Sequence, residues 1–176
     1  MMPLLEDFVT EYDRYRVLGE RSIAQVPDAA LNHVPCAEGN SIAMIVRHVS
    51  GNLTSRFTDF LTSDGEKPWR DRESEFAEQP YTRAEVERMW REGFAVVVGT
   101  IGTLAEADLS RDVVIRGQPL SVHAALCRSL SHASYHAGQI VLLSRELAER
   151  PWQSLSIPRG QSAAYNAAPT LERGLR

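Results

Sequence analysis

The sequence predicts an all-α fold: an up-down four-helix bundle with a short hairpin-like crossover before the last helix and an irregular C-terminal tail. Two observations support this fold class. Four long segments carry apolar side chains at three-to-four spacing, which is typical of amphipathic helices. Capping residues and prolines lie where those segments begin and end.

The first two helices lie in the N-terminal part of the chain. An apolar stripe that starts at Leu4 and Leu5 predicts a helix over residues 3–25. A second helix begins near Asn40 or Ser41, because either side chain can cap exposed backbone N–H groups. Its apolar stripe continues to about residue 61.

The second half of the bundle has clearer boundaries. Thr82 begins the capping box TRAE, which predicts a third helix over residues 82–104. Two short apolar runs at 113–115 and 120–122 lie on either side of Gly and Pro and predict a small hairpin. The last and longest helix is expected over residues 121–150, where a proline ends it.

The chain fits a single domain over residues 1–176, with the bundle at about 3–150 and an extended tail at about 151–176. The tail is rich in Pro, Gly, Ser and Ala and has no periodicity. The polar connection at 62–81 is long for a bundle, and long connections often carry function. The embedded Trp69 and Phe76 argue against a flexible linker, and the overlapping string GNLTSRFTDFLTSDGEKPW at 51–69 is expected to form the wall of a functional site or a dimer contact.

The composition restricts the classes of function. The net charge is −4, and arginines are mixed with acids in runs such as RDRESEFAE, which is typical of a solvated helix face. Nucleic-acid binding is therefore not expected. The first helix has no basic leader before it and no long apolar stretch is present, so we expect no membrane span and a cytoplasmic location. Cys36 and Cys127 form no CxxC pair and are expected to be buried as small apolar side chains.

The most informative motif is SHASYH at 131–136, which places His132 and His136 four residues apart in the last helix. Side chains at this spacing lie on one helix face, one turn apart, and can share a divalent metal ion. A third ligand must come from elsewhere, and His48 in the second helix is the best candidate. All three lie along the apolar seam, where unpaired imidazoles are costly.

A second interpretation leaves the histidines without metal, each bonded to a backbone carbonyl or a Tyr hydroxyl. If metal binds, three neutral imidazoles suit Zn²⁺, Ni²⁺ or Fe²⁺, and the spacing does not choose among them. Three protein ligands leave a position open for water or substrate, as in catalytic metal sites. The sequence contains no nucleophile elbow, GxGxxG motif or P-loop.

Other polar residues near the motif are weaker candidates for the site. Asn52 and Gln139 each lie about one turn from a candidate ligand and can hydrogen-bond it or its water. His123 is expected at the surface or against the hairpin, and His33 is expected to be exposed in a loop. Tyr135 points about 100° away from the neighbouring histidine and is not assigned to the site.

These motifs resemble those of the DinB-like superfamily of metal-dependent four-helix bundles, which includes YfiT-type hydrolases. The resemblance rests on the His in MIVRHVSGN and the HxxxH in SHASYHAGQI. The strings HVSGNLTSRFTDFLTSDGEKPWRDRESEF and LSIPRGQSAAYN are similar to an uncharacterised branch of the superfamily. The resemblance implies that His48, His132 and His136 are the metal ligands and that the protein is a homodimer.

The reaction is less determined, because some members of the superfamily transfer a low-molecular-weight thiol and others are called hydrolases. We expect a metal-dependent enzyme with a small-molecule substrate, and no side chain is assigned as a general base. The first alternative is a non-catalytic, metal-containing helical dimer that binds a ligand or serves in stress. The second is a metal-free helical dimerisation module.

Overall fold

The computed structural model describes residues 3–170 of the protein. Four long helices form the bundle: α1 (Pro3–Ile23), α2 (Ile42–Phe57), α3 (Arg83–Gly102) and α4 (Val122–Leu147). Helix α1 packs against α3 and α4, and α2 packs mainly against α3. The predicted fold class is confirmed. Within the described residues, no helix combines the length and apolar character needed to cross a membrane.

The helix ends follow the capping residues that the sequence offers. The side chains of Ser41, Thr82 and Ser121 each accept a hydrogen bond from the backbone N–H three residues later. Thr82 also forms the expected capping box at the start of α3. Helix α2 ends at Phe57, earlier than predicted, and Asp59 just beyond it has a left-handed φ of 48°. Thr58 between them is extended, with a φ of −69° and a ψ of 129°, so the helical backbone ends there despite the apolar side chains that follow.

The crossover is a two-stranded hairpin, β1 (Asp112–Ile115) and β2 (Gln118–Ser121), paired antiparallel. Its two turn residues, Arg116 and Gly117, have φ angles of 54° and 70°, as a type I′ turn requires. The carboxylate of Asp64 accepts hydrogen bonds from both turn N–H groups at 2.8 Å. The long connection after α2 is therefore fastened to the hairpin turn.

The tail differs in one respect from the sequence prediction. Residues 162–167 form a short helix, α5 (Ser162–Ala167), inside a segment that is otherwise irregular. Its sequence SAAYNA contains good helix formers, although it is too short to show periodicity. The last part of the predicted tail, residues 171–176, lies outside the described residues.

The two interfaces of α2 differ in character. A Cβ on Gly93 of α3 would lie 2.8 Å from the Cα of Ser50, so α2 and α3 approach each other closely there. Helix α2 touches α4 much less than it touches α3. The α2–α4 seam is consequently the more open side of the bundle, and the three candidate histidines lie along it.

Candidate metal centre

The structure brings the three predicted histidines together across the α2–α4 seam. The Nε2 atom of His132 lies 3.2 Å from Nε2 of His48 and 3.2 Å from Nε2 of His136. The potential ligand atoms of all three lie within 4.8 Å of one another. The arrangement follows from the four-residue spacing on α4 and from the position of His48 on the facing helix.

A buried carboxylate from the long connection orients the first histidine. The Nδ1–H group of His48 donates to Oε2 of Glu75 at 2.8 Å. Arg70 donates to both oxygens of the same carboxylate, from Nε at 2.7 Å and from Nη2 at 2.9 Å. The side chains of His48, Glu75 and Arg70 are only 7%, 6% and 2% exposed. The buried ion pair between Glu75 and Arg70 thus fixes His48 through its Nδ1 atom.

The protonation state of this pair determines which nitrogen of His48 is free. Burial raises the pKa of Glu75, but hydrogen bonds from His48 and Arg70 and their charges outweigh burial, so the pKa lies below its ordinary value. The ionised carboxylate can only accept hydrogen bonds. The proton of neutral His48 therefore lies on Nδ1, and the lone pair of Nε2 faces the other two histidines.

Gln139 performs a similar role for His136. Its Oε1 accepts a hydrogen bond from Nδ1–H of His136 at 2.7 Å, while its amide group donates to the Tyr135 hydroxyl at 3.3 Å. The predicted contact between Gln139 and a candidate ligand is thus observed. The Nε2 lone pair of His136 also points toward the centre of the cluster.

The environment keeps the α4 histidines neutral. Burial lowers the pKa of His132 to about 3, with further lowering from the charges of His136, His48 and two arginines. Burial also lowers the pKa of His136, and the hydrogen bond to Gln139 only partly opposes it. Neutral imidazoles are the form that binds metal, so protons would compete weakly with a metal ion for these two candidate ligands near neutral pH.

The donor set fits a divalent cation. The Nε2 atoms of His48 and His136 carry lone pairs, because the proton of each ring lies on Nδ1. A single proton on Nε2 of His132 cannot bond equally well to both of them. A cation between them would satisfy all three. For Zn–N bonds of about 2.0–2.1 Å in tetrahedral geometry, neighbouring nitrogens are separated by about 3.3 Å. Two of the three separations, from His132 to His48 and from His132 to His136, are 3.2 Å and agree with this value.

A cavity of about 220 Å³ lies against the cluster and reaches His48 and His132. Asn52, one turn from His48, lines this cavity, but among the described residues its side chain makes no hydrogen bond to the three histidines. The other residues that line it are mostly aromatic or cationic: Arg56, Phe57, Phe60, Arg70, Arg72, Ile115, Arg116, Ala125, Arg128 and Ser129. A small molecule in this cavity would contact His48 and His132.

Three predictions for residues outside the cluster can be compared with the structure. His33 and His123 are exposed, and His123 lies edge-on to Phe8 with ring centroids 5.9 Å apart. Tyr135 is 63% exposed, yet its ring lies 4.9 Å from that of His136 and its hydroxyl contacts Gln139. Tyr135 therefore supports the site from outside.

The expected burial of the cysteines is wrong. Cys36 and Cys127 are both exposed. Cys36 lies in the irregular loop between a short 3-10 helix (Asp28–Asn32) and α2. Cys127 follows the fully buried Leu126 on α4, and the rotation of about 100° per residue turns its thiol outward.

Sequence reasoning missed the groups behind His48. Glu75 lies in the mixed-charge run RDRESEFAE, which was interpreted as a solvated surface, but a carboxylate can be buried when an arginine and a histidine both bond to it. Phe76 stacks on His48 with ring centroids 4.8 Å apart. A Cβ on Gly51 would overlap the Glu75 carboxylate. That glycine in the middle of α2 was the available signal for a close approach.

Comparisons with known proteins agree with this architecture. A DinB-like protein from Bacillus subtilis superposes with a TM-score of 0.62 and 15% identity, covering 83% of this chain and 96% of the other. A conserved protein from Enterococcus faecalis superposes with a TM-score of 0.65 and 18% identity, covering 84% and 98%. At such low identities these superpositions establish a shared fold alone, and they confirm the expected DinB-like fold. No curated protein is significantly similar to this chain.

The family relationship is shown by sequence. The model of a family described as "Protein of unknown function (DUF1572)" matches residues 2–161, which include all three histidines and Glu75. The match covers most of the chain and both halves of the candidate site. The protein is therefore a member of the DUF1572 family with a DinB-like fold.

Proposed function

We propose that this protein is a metal-dependent enzyme whose divalent ion, Zn²⁺, Ni²⁺ or Fe²⁺, is held by His48, His132 and His136. The convergence of three Nε2 atoms, two of them with lone pairs fixed by hydrogen bonds at Nδ1, carries the proposal. Such orientation by partners behind the ligands is typical of functional metal sites.

Glu75 and Phe76 have different roles at His48. Glu75 holds the proton on Nδ1 of His48 and makes the opposite nitrogen a better ligand. Phe76 covers one face of the same ring and limits its contact with water. A bound divalent ion would supply Lewis acidity, which lowers the pKa of a water or thiol toward neutrality. The cavity beside His48 and His132 provides room for a small substrate.

The reaction we propose is thiol transfer or hydrolysis, which the DinB-like resemblance implies. A low-molecular-weight thiol is the proposed co-substrate, and a homodimer is the proposed assembly. Tyr135 and Leu142, seven residues apart on α4, are 63% and 65% exposed, as an apolar contact on that helix would require. Sedimentation velocity tests the assembly, since a monomer at micromolar concentration contradicts it.

One observation favours the non-catalytic alternative. Among residues 3–170, no carboxylate lines the cavity, so no side chain there is an obvious general base. A protein that binds a small ligand at the metal would need none. The two functions differ in turnover: the enzyme converts a thiol and an electrophile catalytically, whereas the binding protein takes up a stoichiometric amount.

Elemental analysis of untagged protein tests the metal site directly. We expect bound divalent ion in stoichiometric amount for the wild type and its loss in His48→Ala. His123→Ala is the matched control, because His123 is an exposed histidine on α4 that lies outside the cluster. Absence of bound ion in the wild type, even after reconstitution with each of the three metals, would overturn the proposal.

A further inference from the structure

The cavity beside the histidines has an unusual charge for this protein. The chain as a whole has a net charge of −4, with 19 Lys and Arg residues. Five arginines nevertheless line this one cavity: Arg56, Arg70, Arg72, Arg116 and Arg128. Among residues 3–170, no Asp or Glu lines it. A guanidinium remains charged at neutral pH, so the cavity wall is cationic.

Neighbouring carboxylates neutralise this charge only in part. Glu66 is shared by two arginines, with Arg56 at 3.1 Å and Arg116 at 2.8 Å. Glu75 is shared between Arg70 and His48. A carboxylate divided between two donors leaves hydrogen-bonding capacity on each guanidinium, which has five N–H donors.

The arginines at the open side have weaker partners. Arg72 pairs with Glu73, which is 87% exposed, so solvent screens that pair. Arg128 is exposed and makes no ion pair or hydrogen bond with any residue that the structure describes. It lies on α4 one turn before His132, and side chains four residues apart share a helix face. Its guanidinium is thus available on the same face as a candidate metal ligand.

We propose that the cavity binds a small anionic substrate, whose carboxylate or phosphate group is held by Arg128 and Arg72 while its reacting group lies at the histidine cluster. The inference rests on the proposed function for the identity of the reacting end. Arginine forks match the planar geometry of carboxylate and phosphate oxygens. The cavity of about 220 Å³ is smaller than a typical drug-sized pocket, so a small molecule is enough to fill it.

A charge series of small thiols tests this assignment. The probes are 3-mercaptopropionate, 2-mercaptoethanol and cysteamine, which are anionic, neutral and cationic at neutral pH. Binding is followed by NMR titration of the full chain, in the metal-free and the Zn²⁺-loaded forms. We expect the anionic thiol to bind about tenfold more tightly than the cationic one, with the neutral thiol between them. Added salt reduces that ratio because it screens exposed charges.

Two variants assign the preference to the arginines. Arg128→Gln is expected to reduce the affinity ratio about threefold, and the double variant with Arg72→Gln is expected to reduce it further. Arg145→Gln is the matched control, since Arg145 is an exposed arginine on the same helix that lines no part of the cavity. It makes the same change in net charge and should retain the wild-type ratio.

The outcomes separate this inference from the metal proposal. Equal affinities for the three thiols, or a ratio unchanged in the double variant, would overturn it even in a protein that binds Zn²⁺. A protein that binds no metal but prefers the anion through Arg128 would support it and overturn the metal proposal. Parallel titrations with succinate and inorganic phosphate distinguish a carboxylate site from a phosphate site by which anion binds more tightly.

Discussion

Replacement of Glu75 by glutamine would separate the effect of the proposed metal ligands from the effect of the groups that orient them. The carboxylate accepts one hydrogen bond from His48 and two from Arg70, all between 2.7 and 2.9 Å. Glu75→Gln keeps the shape of the side chain but removes its charge and one acceptor oxygen. Either His48 or Arg70 then faces an amide N–H group instead of an oxygen.

The structure indicates two separate costs. Arg70 would remain as a buried cation, its side chain 2% exposed, and loss of one partner from a buried ion pair costs about 3–5 kcal/mol. We expect the lower end, about 3 kcal/mol, since the glutamine oxygen can still accept one hydrogen bond. Loss of an oriented partner behind a histidine ligand lowers metal affinity about 10- to 100-fold.

Two assays measure these effects independently. Urea unfolding of the metal-free proteins gives the stability change, and competition with a chelator gives metal affinity. Adding Arg70→Met to Glu75→Gln removes the unpaired cation, so stability should recover to within about 1 kcal/mol of the wild type. Metal affinity should remain low in the double variant because His48 still lacks its carboxylate. Glu73→Gln is the control: Glu73 lies with Glu75 in a short 3-10 helix (Glu73–Phe76) but is 87% exposed, so its replacement should change stability by less than about 0.5 kcal/mol.

Wild-type metal affinity in Glu75→Gln would refute the view that Glu75 prepares His48 as a ligand. A loss of stability below about 1 kcal/mol would show that the ion pair is solvated rather than buried. A double variant no more stable than the single variant would show that Arg70 carries no uncompensated charge in Glu75→Gln.

Three further predictions concern the surroundings of the cluster. Gly51→Ala should lower metal affinity about tenfold, since the new Cβ displaces Glu75. The free energy of unfolding should fall less than it does in Glu75→Gln, because alanine favours the helix over glycine by about 1 kcal/mol. Unchanged affinity in chelator competition would contradict this prediction. The metal-free protein should lose stability as pH falls from about 6.5 to about 3, since the unfolded chain binds a proton there that folded His132 excludes. The slope should reach at most about 1.4 kcal/mol per pH unit for that group in urea unfolding, and an equal slope in His132→Gln would argue against the assignment. Gln139→Leu should weaken metal binding severalfold, which is less than the loss expected for Glu75→Gln, because the group that orients His136 is a neutral amide rather than a carboxylate. A larger loss of affinity in Gln139→Leu than in Glu75→Gln would contradict this ranking.

The helical part of the fold could be predicted because its signals are local. Apolar spacing and capping side chains lie within a few residues of the structure they specify, so Ser41, Thr82 and Ser121 mark helix starts in the sequence and in the structure. The end of α2 was predicted too late, because the apolar stripe continues to about residue 61 while the backbone becomes extended at Thr58. Apolar side chains beyond a helix end can still pack into the core, as Phe60 does at 7% exposure.

The sequence by itself determined which helices form and which three histidines lie toward the α2–α4 seam, since helical periodicity fixes the face on which each side chain lies. Only the tertiary structure decided what lies behind them. Glu75 is 27 residues from His48 in the chain, within a charged run whose composition is that of a solvent-exposed segment. Its burial depends on Arg70, on the space above Gly51 and on how the connection folds back over α2. The same is true of the arginine-lined cavity, because its residues come from separate elements and their charges add only where the fold brings them together.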